Sequence, residues 1–320
     1  MNKLKPVAPD QLPRTLASYG QLDYTLTKDV ICAKLQINIS EHRYLLSHLI
    51  NEKVVIPSVF MLELAHGVLA KTNSKLAERL LSQPQLQWRQ ISATRLAYLT
   101  GGEQQTLYFD WQPCQQQGDY QLTVSYDKLN QQGQCVRPKL TVLTATLVGD
   151  AKNTTPNLVN AMPSGELIER ALIDDFKAQS PATLGILFNN LTFKYLRCPK
   201  TQALWCYSDL RNSRQYCLQT EIEPDFITPV LAAMSAVQHL PFYGYLDKAI
   251  ALPSHIGGLT FYGDRQNSLN HQGKLVCQIA PAKTSPLTNQ GLCVDVLVCR
   301  EADLTPILQF EHYHLQPQLH

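Results

Sequence analysis

The apolar run Val54-Val55-Ile56 meets Pro57 and gives way to a segment in which Phe60, Met61, Leu64, Val68 and Leu69 recur at three- and four-residue spacing. Such spacing aligns apolar side chains along one helical face. The pattern therefore predicts a strand at 54–56 and a helix from Pro57 to about residue 73, buried on one side. Pro57 suits a first helical turn, because the amide it lacks has no intrahelical acceptor there. His48 falls in a predicted short loop ahead of the strand, close to the amides that open the helix. Period-two alternation, rich in β-branched residues, marks strands at 24–38, 86–98, 106–111, 120–126 and 140–147. Gly101-Gly102 and the polar stretches 115–119 and 130–133 punctuate them as turns, and 75–81 predicts a second, short helix.

The polar segment 150–165 contains two prolines and marks a linker, dividing the chain into 1–155 and 156–320. Beyond it the order of elements repeats. A short helix is predicted at 167–176 and strands at 191–195, 203–210 and 217–222. A second long helix then opens Ile227-Thr228-Pro229-Val230-Leu231, which parallels Ile56-Pro57-Ser58-Val59-Phe60. Thr228 is a good N-cap and Pro229 a good first-turn residue. Strands at 257–262, 274–280, 293–300 and 307–315 complete the half. The fold class is α+β. A strand, a long helix and an antiparallel meander, given twice, describe a double hot dog: two antiparallel sheets, each wrapped round a central helix, with a cleft between the halves.

Composition narrows the function classes. Of 320 residues, 44% are apolar and 17% charged, as in ordinary globular proteins. A net charge of +2 with no run of Lys and Arg gives no case for nucleic acid. The apolar runs are too short for a membrane span, and the polar, proline-broken N-terminus does not read as a secretory leader. Nine cysteines, none in Cys-x-x-Cys spacing, argue against zinc and for reduced thiols in a cytoplasmic protein.

His48, Pro57 nine residues on, and Leu62-Glu63-Leu64-Ala65 together resemble the catalytic-histidine motif of polyketide synthase dehydratase domains. In that family the pattern is His-x3-Gly-x4-Pro-Gly, followed by a helix close to Tyr-Leu-Glu-Leu. Here Glu52 and Ser58 stand at the two glycine positions. Downstream, Leu252-Pro253-Ser254-His255-Ile256-Gly257-Gly258-Leu259 resembles the family's Leu-Pro strand. The two signatures come in the family's order and the resemblance spans most of the chain. It implies the double hot-dog fold and a freestanding enzyme of polyketide or fatty-acid-type biosynthesis. Its substrate would be an acyl thioester on the phosphopantetheine arm of an acyl carrier protein, with no metal or organic cofactor. Pairing into a homodimer is a further implication.

The resemblance also implies roles. His48 would be the general base that takes the α-proton, a task suited to imidazole because its ordinary pKa of about 6.5 leaves it largely neutral at pH 7. Pro57, Ser58, Val59, Ala233, Met234, Gln238 and Pro253 would line the substrate site. In the family an aspartate on the second helix helps hydroxide leave, but aligning the helix motif puts Ala233, Met234 or Thr228 at that place. The family's Tyr-Gly-Pro loop is likewise replaced, by Phe188-Asn189-Asn190. Three accounts remain open. Asp225, or Glu223, supplies the acid from ahead of the helix. Alternatively His48 runs a base-only reaction such as double-bond isomerisation or cyclisation, in which no hydroxide leaves. Or the chain is a non-catalytic scaffold subunit. Glu63 is expected to serve a structural hydrogen bond, and the other histidines are expected to be structural.

Overall fold

The computed structural model describes residues 5–6, 21–38, 48–99, 104–115, 118–130, 132–156, 165–167, 182–184, 191–198, 203–209, 230, 233–234, 237, 251–262, 274–282 and 292–317. The strands are β1 (Lys5–Pro6), β2 (Leu22–Thr27), β3 (Val30–Asn38), β4 (His48–Ile50), β5 (Lys53–Ile56), β6 (Gln85–Ala93), β7 (Ala97–Tyr98), β8 (Gln104–Pro113) and β9 (Tyr120–Leu129). They continue as β10 (Cys135–Leu147), β11 (Glu166–Leu167), β12 (Ala182–Leu184), β13 (Leu191–Arg197), β14 (Leu204–Asp209), β15 (Ala251–Tyr262), β16 (Lys274–Pro281), β17 (Leu292–Arg300) and β18 (Pro306–Pro317). Between β5 and β6 lie the central helix Ser58–Thr72 and a short helix Ser74–Leu81.

The expected double hot-dog architecture is present, with one addition. Strands β1, β2, β3, β8, β9, β10 and β6 form one run, and β15, β18, β17, β16, β14, β13 and β11 form the other. Strand β15 pairs antiparallel with β6, setting Leu259 opposite Trp88 and Ile256 opposite Ile91. The two sheets thus share one continuous hydrogen-bonded ladder. A separate four-stranded sheet runs β12-β4-β5-β7.

The central helix differs from its sequence reading. Its buried residues run Val59, Phe60, Met61, Leu62, Glu63, Leu64, Ala65 and His66, then Val68, Leu69 and Thr72. A helix enclosed nearly all round needs no polar face, so the one-sided stripe is only the strongest part of a wider apolar surface. Pro57 is the N-cap rather than a first-turn residue, because its ψ of 144° continues the extended path of β5. Its carbonyl accepts the first helical bond, from the Met61 amide at 3.3 Å. The short helix keeps one buried face, Leu76, Ala77 and Leu80, and the Asn73 side chain caps it by accepting from the Leu76 amide at 3.1 Å.

Val230, Ala233, Met234 and Val237 lie in helical backbone at intervals of three, one and three residues, as one helical face requires. They join the same apolar cluster as the central helix, Ala233 at 0% exposure and Met234 partly buried.

Other expectations change in detail. The alternating stretch 24–38 is a hairpin, with Leu26 opposite Ile31 and Lys28 in the left-handed region at φ 53°. Alternation continues in phase across its tight turn, so the sequence reads as one strand. Leu167, expected to begin a helix, pairs with Leu196 in a two-strand ladder. The start of the expected linker is a bound strap. Gln85 donates to the Thr154 carbonyl at 2.8 Å and accepts from its amide at 2.9 Å, while Gln83 accepts from the Ala151 amide at 2.9 Å. Among the described residues no cysteine is in a disulfide; Cys206, Cys277, Cys293 and Cys299 are buried, whereas Cys32 and Cys135 are exposed.

His48 is not in a loop but is the first residue of β4. The loop lies just beyond, where Asn51 (φ 49°) and Glu52 (φ 62°) close a two-residue hairpin between Ile50 and Lys53. Two successive positive φ values are the type I′ geometry, in which a side chain at the second position is strained and glycine is not. Glu52 occupies a place where the resembled motif has glycine, and the turn explains that glycine. Glu52→Gly is expected to raise the unfolding free energy by about 0.5–1 kcal/mol, read as a higher urea midpoint at unchanged slope.

Candidate functional site

The hairpin of β4 and β5 holds His48 by register and by a hydrogen bond to a backbone carbonyl. Leu49 faces Val54 and Ile50 faces Lys53, so His48 lies level with Val55. The His48 Nδ1 is 2.9 Å from the Val55 carbonyl oxygen. A carbonyl oxygen only accepts, so Nδ1 carries the proton and the neutral ring keeps its lone pair on Nε2. On its other side β4 pairs with β12, His48 opposite Leu184.

Enclosure of the ring by protein lowers the His48 pKa, since a charged imidazolium loses hydration there; the bond to the Val55 carbonyl works the other way and is the smaller effect. The ring is therefore neutral at pH 7 and able to take a proton, while keeping partial exposure.

Side chains at alternate positions, and opposite one another across antiparallel strands, share a face. Val55 pairs with Tyr98 of β7. One face of the small sheet thus carries His48, Ile50, Lys53, Val55 and Tyr98. The Lys53 Nζ lies 6.0 Å from the centre of the Tyr98 ring. Lys53 and Tyr98 escaped the sequence reading; the phase of alternation relative to His48 is the signal that contains them.

The other expected site residues are distributed between the core and β15. Pro57 is buried at the start of the central helix, Ser58 is half-buried, and Val59 is buried within the core cluster that also takes in Ala233 and Met234. Val59 and Ala233 thus belong to one extended apolar cluster, with Met234 packed against it. Pro253 is half-buried in β15 opposite Leu315, two residues before His255, which pairs with Ser92 near the end of β6. Asp225, Glu223, Thr228, Gln238 and the segment Phe188-Asn189-Asn190 lie outside the described residues. Glu63 is buried in the central helix, and His66 is buried with its ring 5.5 Å from that of Trp88, a packing role. Among the described residues no group of three or more His, Cys, Asp and Glu is arranged to hold a metal ion, and no helix is long and apolar enough to cross a membrane.

With this geometry in view, comparison with solved structures is decisive for the fold. The chain superposes on a trans-AT PKS dehydratase domain from Brevibacillus brevis with a TM-score of 0.70 at 13% identity, over 92% of this chain and 96% of that one. It superposes on the dehydratase domain from the CurF module of curacin polyketide synthase with a TM-score of 0.69 at 12% identity, over 94% and 99%. The chain has the polyketide synthase dehydratase fold. A dehydratase domain of a mycocerosic acid synthase-like PKS covers all of it, with a TM-score of 0.66 at 14% identity and 99% coverage of that chain. No family model and no curated relative matches the sequence. The likeness in fold therefore stands at 12–14% identity.

The lowered His48 pKa has a definite sign. Between the folded value and the unfolded value near 6.5 the unfolded chain binds the proton more readily, so this contribution to stability is whole above about pH 6.5 and is lost as pH falls through the folded value. In histidine-resolved NMR titration the His48 ring is expected to titrate below 6.5. His48→Asn is expected to flatten the acid side of the stability–pH curve obtained from urea unfolding.

Proposed function

We propose that this chain is a dehydratase-like enzyme acting on an acyl thioester carried by an acyl carrier protein, with His48 as general base. The observation that supports it most is the neutral imidazole fixed by the Val55 carbonyl with its lone pair on Nε2, beside the opening of the central helix, in a chain with the dehydratase fold. A histidine matters in one of these neighbours: a curacin dehydratase with phenylalanine in place of a histidine is described as an inactive mutant. The two units 1–155 and 156–320 would clasp the acyl chain between their helices, with Val59, Ala233, Met234 and Pro253 as apolar lining and Gln238 as a polar contact.

In this reading Nε2 removes a proton from the carbon next to the thioester, and negative charge moves to the thioester oxygen. The amides of Ser58 and Val59 precede the first intrahelical hydrogen bond and are suited to receive that oxygen. Dehydration then needs an acid to protonate the leaving hydroxyl, and Asp225 is the candidate. The apolar packing of Ala233 and Met234 favours the base-only variants, since these positions, where the resembled motif has its acid, serve the core instead. Double-bond isomerisation returns the proton at another carbon of the same chain, and cyclisation uses the base to activate a substrate hydroxyl. Neither expels hydroxide.

The test follows carrier-bound β-hydroxyacyl and β,γ-enoyl thioesters by mass spectrometry and NMR. His48→Ala is expected to lower turnover roughly 10²–10⁴-fold, and kcat/KM is expected to fall on the acid side with an apparent pKa below 6.5. Loss of turnover in Asp225→Asn on the hydroxyacyl substrate identifies dehydration. Turnover of the enoyl substrate alone, indifferent to Asp225, identifies isomerisation. Wild-type rates in His48→Ala reject His48 as the base, and no turnover of any thioester returns the chain to the class of binding subunits.

A further inference from the structure

The outward face of the large sheet carries a cluster that proton transfer at His48 does not use. Cys293 of β17, His314 of β18, His255 of β15 and Ser92 of β6 stand opposite one another in a single row. Their neighbours Val294, Tyr313, Ile256 and Ile91 form the buried row beside it, so alternation turns the histidines away from the core. The His255 and His314 ring centroids are 5.7 Å apart, and the Cys293 Sγ is 3.4 Å from the His314 Nε2. A third imidazole, His312, lies two residues back along β18. It packs against Gly257, where a Cβ would come within 3.1 Å of both its Cβ and its Nδ1. All three histidines are half-buried.

The place of the cluster gives it leverage. Among the described residues the two runs of the large sheet join only where β15 pairs with β6, and His255 opposite Ser92 is the first pair of that ladder. Burial lowers the pKa of His255, and His312 lowers it further; burial lowers that of His314, with His255 and His312 adding to the effect. Each imidazole that takes a proton therefore makes the next protonation harder. The surrounding groups do not reverse this. Asp295 accepts from the His312 amide at 2.8 Å, and Glu311 lies over Gly258, which Arg89 of β6 faces. The Cys293 thiol, pushed up to about 11 chiefly by burial, is neutral at pH 7 and below. A neutral His314 can accept the thiol hydrogen on Nε2, whereas an imidazolium has two N–H donors and no acceptor.

We propose that His255, His312 and His314 form a pH-sensitive latch on the join between the two runs of the sheet. Neutral rings pack on the outward face and leave the β15–β6 ladder closed. Charged rings repel one another and draw water, and the ladder opens from its His255–Ser92 end. Linkage gives the sign. The opened chain binds protons with an ordinary histidine pKa near 6.5, so the latch is closed above about pH 6.5 and weakens as pH falls through the lower folded values. The device is separate from the chemistry at His48 and does not depend on the thioester reading.

Hydrogen–deuterium exchange of the full chain, read by mass spectrometry at pH 7 and pH 5 and corrected for intrinsic exchange, tests the latch. The expected result at pH 5 is roughly tenfold more frequent opening, tenfold being one unit of pKa difference, confined to segments 89–92 and 255–258. In His255→Gln/His314→Gln the acid-induced rise is expected to disappear, although His48 is still present. NMR titration gives a second reading that needs only a single variant: in His255→Gln the His314 pKa is expected to rise. Four results overturn the proposal: equal exchange at the two pH values, a rise that persists in the double variant, opening spread evenly over the sheet, or a His314 pKa indifferent to His255.

Discussion

A helix that is apolar on nearly every side must be surrounded, and the segment Ser58–Thr72 imposes that condition on the whole chain. Lone helices avoid water on one face and accept it on the other; this one buries even a carboxyl side chain, Glu63, and an imidazole, His66. A flat sheet cannot cover such a cylinder. The long, twisted, bulged antiparallel ladder can, and the register shifts along β9–β10, β10–β6 and β17–β18 are places where a strand bends to do so. Val230, Ala233 and Val237, also in helical backbone, join the same apolar cluster.

The site depends on that enclosure. Because the helix is fixed, its N-cap Pro57 is fixed, and with it the strand β5 that supplies the Val55 carbonyl. One hydrogen bond from His48 to that carbonyl then sets the tautomer, and partial burial sets the direction of the pKa. The bond to the backbone carbonyl fixes the ring with Nδ1 protonated, and burial favours its neutral form; in the proposed chemistry such a base would suit removal of a proton acidified by a thioester. Ala233 packs in the apolar cluster and Met234 against it, and neither side chain titrates.

Much of this is visible in the residues alone, and the losses have identifiable causes. The central helix and strands β14, β16, β17 and β18 are legible from periodicity, because each is long and strongly patterned. The hairpin Leu22–Thr27 with Val30–Asn38 merged into one strand because a tight turn preserves phase. Pro57 shifted by one residue because a proline can end an extended segment as well as open a helix. Period two places His48, Lys53 and Tyr98 on one face only once the pairing of β4, β5 and β7 is known, and a two-residue strand such as β7 gives no pattern of its own. Leu167 formed a short ladder because its partner lies 29 residues away and local propensity cannot report it.

The account stands on His48 moving a proton at the carbon beside a thioester, and exchange with solvent observes that step independently of any later one. A carrier-bound saturated acyl thioester is incubated with the protein in deuterium oxide, and the label at that carbon is monitored by NMR and mass spectrometry. The account predicts deuterium uptake with the wild type and background uptake with His48→Ala. Equal uptake by the two proteins, or none by the wild type above the protein-free control, would contradict it.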